Sequence, residues 1–315
     1  MQSPFKDGNF RNALESERLE AVTVRIRGRV VGLAVGLSII AVAATFQDAV
    51  VLGVAAIIAL LTGQLVNSLI SGGKIKRFSN RHKAALANTL LQEVGPNLKF
   101  EPTKGISENL FLASGLYSKR SDRYHTEDLC HGKLGNTYLQ FAEIKSEYKT
   151  TSTDSDGDSQ TTWHTTFQGV YFIADFNKHF RTEVTITPDF AEKTFGFVGR
   201  KLQSLKGNVI HLENEEFEKA FIVQGTDDQE TRYILTPAVQ ENLLKLRKIH
   251  GKDMRLSFRE SSLCLAAPTT HNYFETNLKL PVDHPEQTDR IRWELKRFLN
   301  IVETLDLNTR IWTKE

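Results

Sequence analysis

The chain has 315 residues, with 40 Lys plus Arg, 38 Asp plus Glu and a formal net charge of +2. That balance excludes a strongly basic nucleic-acid binder and an acidic disordered chain as whole-molecule readings, and the length is enough to bury a core. The mean hydropathy of -0.32 is ordinary for a soluble protein, but the apolar residues are concentrated in one block.

Residues 1–29 are polar and mixed in charge, and read as a cytoplasmic N-terminal arm with a short helix over Asn12 to Val24 or no fixed structure. From Val30 to Ile70 there follow 41 residues with no Lys or Arg and one acid, Asp48. A bilayer core takes about 20 helical residues, so this run predicts a hairpin of two spans, 30–46 and 49–70, turning at Asp48. Arg25, Arg27 and Arg29 precede it, and Lys74, Lys76, Arg77 and Arg81 follow it. Positive flanks stay on the cytoplasmic side, so both termini are expected there, at the bacterial inner membrane. Gly32 and Gly36 form a G-x-x-x-G pair, a face that permits close helix packing within the hairpin or between copies in a homo-oligomer.

A helical connector (71–95) is expected next, with the helix Phe78 to Val94 stopped by Gly95-Pro96, and then a cytoplasmic domain (96–315). Ser107 caps a short helix to Ala113. The period then changes to two. Strands are read over Asp128 to Leu134 and Thr137 to Thr150, around the Gly135-Asn136 turn, and over Trp163 to Phe176. Thr151 to Thr162 is polar throughout and reads as a mobile loop. A strand at Thr182 to Thr187 and a helix over Pro188 to Gln203 follow, then a strand at Asn208 to Leu212, a helix at Glu215 to Ala220 and a strand at Phe221 to Val223. A helix from Thr236-Pro237 to His250 carries an apolar stripe of Val239, Leu243, Leu246 and Ile249. A last hairpin (Met254 to Phe258, Ser262 to Ala267) precedes a closing helix, Pro285 to Leu305, with the stripe Ile291, Leu295, Phe298, Leu299 and Val302. The fold class is α+β: an N-terminal two-helix transmembrane hairpin, then an antiparallel sheet with packed helices, at the fold level reminiscent of pleckstrin-homology domains.

Nucleotide, dinucleotide, esterase and zincin motifs are absent from the sequence. Cys130, His131, His125 and Cys264 match no common zinc spacing. Asp154, Asp156 and Asp158 start like a calcium loop, but Ser159 and Thr165 stand where its Gly and Glu belong. No metal and no cofactor are therefore expected. The remaining cluster is Asp227, Asp228, Glu230, Arg232 and Tyr233. Neighbouring carboxylates can do acid–base work, but the run reads first as a turn in which Arg232 pairs with an acid, Tyr233, Ile234 and Leu235 pack inward, and Thr236 caps a helix.

Three segments carry a resemblance: FQGVYFIADFNKHF from Phe167, ITPDFAEKTFGFVGRKLQ from Ile186, and LENEEFEKAFIVQGTDDQETRYILTPAVQENLL from Leu212. They resemble a bacterial family of two-span membrane proteins with one cytoplasmic domain of unknown function, often encoded beside a LemA-like protein. The resemblance implies the anchor, the domain boundary and a LemA-like membrane partner; it implies no catalytic residues. The expectation is thus a membrane-anchored interaction domain, binding a protein partner or a lipid headgroup. The alternative is an enzyme using the Asp227 cluster on lipid or envelope material.

Overall fold

The computed structural model describes residues 5–153, 158–176, 181–189 and 208–308. The chain groups into two units: Met1–Thr89 with Phe274–Ile291, and Leu90–Tyr273 with Arg292–Glu315.

The first unit is built on two long helices, α1 (Gly8–Ala44) and α2 (Ala49–Val94). The expected arm, spans and connector are not separate pieces, because each polar segment continues its apolar neighbour without a break. Glu, Arg, Lys and Ala are good helix formers, so polarity ends the membrane pattern without ending the helix. The turn falls where Asp48 was expected to place it. Gln47 adopts φ 54, and the Asp48 carboxylate accepts from Val50 N at 2.7 Å and Val51 N at 3.4 Å, capping α2. Opposed residues fix the register of the two antiparallel helices. A Cβ on Gly32 would overlap the Gly63 carbonyl oxygen, one on Gly36 would stand 3.2 Å from the Ala59 oxygen, and one on Gly28 would stand 2.8 Å from Asn67 Oδ1. Further along, Glu20 pairs with Lys74 and Glu17 with Arg81.

Residues Phe274–Ile291 form a strap on the polar halves of these helices. Arg11 holds Asp283 through two bonds (2.6 and 3.1 Å). Glu15 accepts from Val282 N at 3.0 Å, and Arg18 donates to the Leu278 carbonyl at 2.7 Å. The buried His82 bonds the Val282 carbonyl through Nε2 (2.8 Å) and Thr276 Oγ1 through Nδ1 (3.1 Å). The carbonyl can only accept, so Nε2 carries the proton.

The second unit is organised around one antiparallel sheet. In chain order its strands are β1 (Leu98–Glu101), β2 (Arg123–Leu134), β3 (Thr137–Thr153), β4 (Ser159–Asp175), β5 (Val184–Pro188), β6 (Asn208–Val209), β7 (Phe221–Gly225), β8 (Arg255–Arg259) and β9 (Ser262–Pro268). Its helices are α3 (Glu108–Ala113), α4 (Glu215–Ala220), α5 (Asp228–Ile234), α6 (Pro237–His250) and α7 (Pro285–Thr304), whose first residues belong to the other unit. The sheet order is β1-β2-β3-β4-β9-β8-β5-β7-β6. The likeness to a pleckstrin-homology domain goes no further than an antiparallel sheet followed by a closing helix.

β2 begins five residues before the expected Asp128. A bulge between Glu127 and Cys130, with Asp128 at φ 60, interrupts the alternation that marks a strand. The Gly135-Asn136 turn forms as expected, with Leu134 paired to Thr137 and Gly135 at φ 63. The polar stretch read as a loop is largely strand: β3 and β4 stay paired from Lys149↔Trp163 to Thr153↔Ser159. Thr is polar but β-branched and suits a strand. Hydroxyls meet across the ribbon at Thr151/Thr161 (3.3 Å) and Thr153/Ser159 (3.2 Å). Within β3 burial changes face. Leu139 and Phe141 are buried on one side, where Phe141 meets Phe298 of α7 at 5.1 Å. Ala142 and Ile144 are buried on the other, in a cluster with Phe111 of α3, Tyr117, Phe167 and Tyr171. Of the expected helix over Pro188 to Gln203, residues 190–203 lie outside the described ones.

Candidate functional site

The Asp227 cluster folds as a short helix that sequence periodicity did not reveal. Asp227 is its N-cap, accepting from Glu230 N at 2.7 Å, and Asp228 pairs with Arg232 at 3.1 Å. The Glu230 carboxylate accepts from Arg181 N at 3.0 Å. Ile234 and Leu235 are buried, and Thr236 caps α6 through Val239 N (3.4 Å). Tyr233 departs from expectation: it is 46% exposed and, with Arg181, Asp227 and Glu230, lines an open depression. Asp227, Asp228 and Glu230 are thus each held by a structural bond.

The cysteines and histidines weighed for zinc have separate partners. Cys130 is buried and its thiol is pushed up to about 12 by burial. Its neighbour His131 points to the other face and bonds Glu101 at 2.9 Å. His125 meets Glu127 at 3.5 Å, and Cys264 lies in the core beside Tyr171. Glu101, ringed by His131, Lys104 and Lys99, is held down to about 2, the opposite of a general acid's requirement. Asp154 and Asp156 of the calcium-like string lie outside the described residues. Among the described residues, no group of three metal-binding side chains comes together.

One concave surface was missed in the sequence. Ile249, Trp293, Lys248, Lys296 and Arg297 line a cleft of about 660 Å³ with Glu303 at its rim. Trp293 is 56% exposed and Ile249 37%. The α6 stripe expected Ile249 inside; in the last turn His250 takes that place, against Phe298 at 5.5 Å. Burial and the nearby Arg297 guanidinium lower His250 to about 3. Trp293 stands off the apolar stripe of α7, the signal in the sequence that could have found it. Arg297 lies over its ring at 5.2 Å and donates to the Ile249 carbonyl.

In the hairpin, the Gly32/Gly36 face is occupied by α2 of the same chain. Apolar side chains point outward instead: Leu33 is 68% exposed, Val50 74% and Leu69 76%. Both helices are long and apolar enough to cross a membrane.

A family model described as "Protein of unknown function (DUF3137)" matches residues 165–307, less than half of the chain, running from within β4 past the end of α7. Among solved structures, the mycobacterial trehalose monomycolate transport factor A, TtfA, matches with 10% identity over 76% of this chain and 99% of that chain, at a TM-score of 0.38. A likeness that distant carries no weight for fold or function. Comparison with curated proteins gives no match.

Proposed function

We propose that this chain is an inner-membrane protein with both termini in the cytoplasm, whose domain binds a protein partner at the cleft between α6 and α7. The observation that carries the reading is Trp293, a large aromatic side chain half in solvent beside Ile249 and rimmed by Lys248, Lys296 and Arg297. Aromatic anchors in a pocket with a charged rim are the residues that dominate protein interfaces. The cationic rim suits an acidic partner surface, and a LemA-like membrane protein is the first candidate through the family resemblance.

A photo-crosslinking residue at position 293 in the full chain, expressed in its native membrane, is expected to give a discrete protein adduct that Lys296→Glu abolishes. Adducts to lipid alone, or an adduct indifferent to Lys296→Glu, would reject the cleft as the partner site. Topology has its own test. Both native cysteines are buried, so an Asp48→Cys chain should react with a membrane-impermeant maleimide from the outer face and not from the cytoplasmic face. The acidic cluster offers less to an enzyme reading, because its carboxylates already cap, pair or anchor a loop. Asp227→Asn with Asp228→Asn should leave the partner adduct intact.

A further inference from the structure

We propose that the hairpin holds one anionic phospholipid, its phosphate at Arg29 beside Asn67 and its ester region at Gln64. The inference rests on the membrane reading above and names a ligand of the anchor itself.

Three observations converge. First, α1 and α2 flank an open groove of about 550 Å³, polar at one end (Arg29, Gln64, Asn67) and apolar toward the other (Leu37, Ile40, Leu60). Second, Arg25, Arg27 and Arg29 on α1 and Lys76 and Arg77 on α2 have no acidic partner among the described residues, whereas Lys74 and Arg81 are paired with Glu20 and Glu17. Each cation at a bilayer surface attracts anionic lipid. Third, Gln64 makes no hydrogen bond among the described residues and lies in the groove. An unbonded amide facing hydrocarbon is unfavourable and calls for a polar partner. By the helix register Gln64 lies about 3 Å deeper than Arg29, the order in which a phospholipid presents its phosphate and then its esters. Arg25, one turn back from Arg29, reinforces the charge at the mouth.

The test uses the full chain in nanodiscs of phosphatidylcholine with phosphatidylglycerol as the minor component, extracted into detergent and read by native mass spectrometry. The expected result is one retained phosphatidylglycerol, enriched about tenfold over phosphatidylcholine, a preference worth about 1.4 kcal/mol. Arg29→Gln and Gln64→Leu should each remove the enrichment; Leu at position 64 suits an apolar helix, so folding is preserved. Ile40→Trp, which fills the apolar end without changing charge, should lower retention too, since a free phosphate would ignore it. Arg27→Gln, outside the groove, should retain the lipid. Equal retention of the two lipids, or equal loss for Arg27→Gln and Arg29→Gln, would overturn the site in favour of a diffuse surface field. A chain washed from membranes without detergent would instead reject the membrane reading itself.

Discussion

Gly32 shows how one missing Cβ sets the spacing of two helices. Any side chain there overlaps the Gly63 carbonyl, whereas at Gly53 nothing lies within 4 Å. Gly32→Leu is expected to separate the helices and lower the thermal stability of the full chain in detergent, by the 1–3 kcal/mol typical of overpacking; Gly53→Leu should be neutral. His250 sets a pH dependence. Its pKa falls from 6.5 to about 3 on folding, so its contribution is complete above about pH 6.5 and is lost progressively below it. At pH 5 the loss reaches about 2 kcal/mol. Glu101, lowered from 4.5 to about 2, loses its contribution only below about pH 4.5, so the two windows separate. Thermal melts of His250→Leu should therefore be flatter between pH 7 and pH 5 than those of the parent chain, and equal slopes would assign the acid sensitivity elsewhere.

At the scale of elements, the β3–β4 ribbon and α6 invite measurement. The ribbon is clamped by aromatic–cation contacts, Arg123 over Trp163 at 3.6 Å and Lys119 over Tyr148 at 3.1 Å. Exposed contacts of this kind contribute about 0.5–1 kcal/mol. Trp163→Ala should raise amide exchange at 159–164 while leaving the melting temperature nearly unchanged. This ribbon is also where reading the sequence failed, because a threonine-rich stretch looks like a loop by polarity and like a strand by branching. Elements with a strong period (α6, α7, the β2–β3 hairpin) were legible because burial imposes that period. α5 was not, since seven residues with caps at both ends complete fewer than two turns. The acidic cluster was legible as a set of residues and in the pairing of Arg232 with an acid, but it forms a helix and not a turn, and Tyr233 faces outward. Trp293 was overlooked because an apolar residue on a polar face breaks the stripe instead of defining it.

At the scale of the molecule, the apolar helical hairpin and its basic flanks follow from composition alone, whereas the strap does not. Residues 274–284 have no helical or strand period; their place is set by bonds to α1 and α2 and by the burial of Phe274, Leu278 and Val282. Removing one should show. Arg18→Ala leaves the Leu278 carbonyl without its donor, a loss of about 1–3 kcal/mol for a buried group. Cleavage within 274–284 by a dilute protease should accelerate about fivefold or more, since cleavage follows the open population. An unchanged rate would mean that Arg11 and Glu15 hold the strap without Arg18.

The strap also imposes an order on biosynthesis. The hairpin leaves the ribosome early and can enter the bilayer as soon as residue 70 has emerged, but the bonds of Arg11, Glu15, Arg18 and His82 need partners between Thr276 and Asp283. At roughly 5–20 residues per second, synthesis of the intervening chain leaves those polar side chains waiting for about ten to forty seconds. The polar end of the two-helix unit is therefore finished last, and a ribosome that stalls before residue 274 leaves the hairpin with its closing segment unmade.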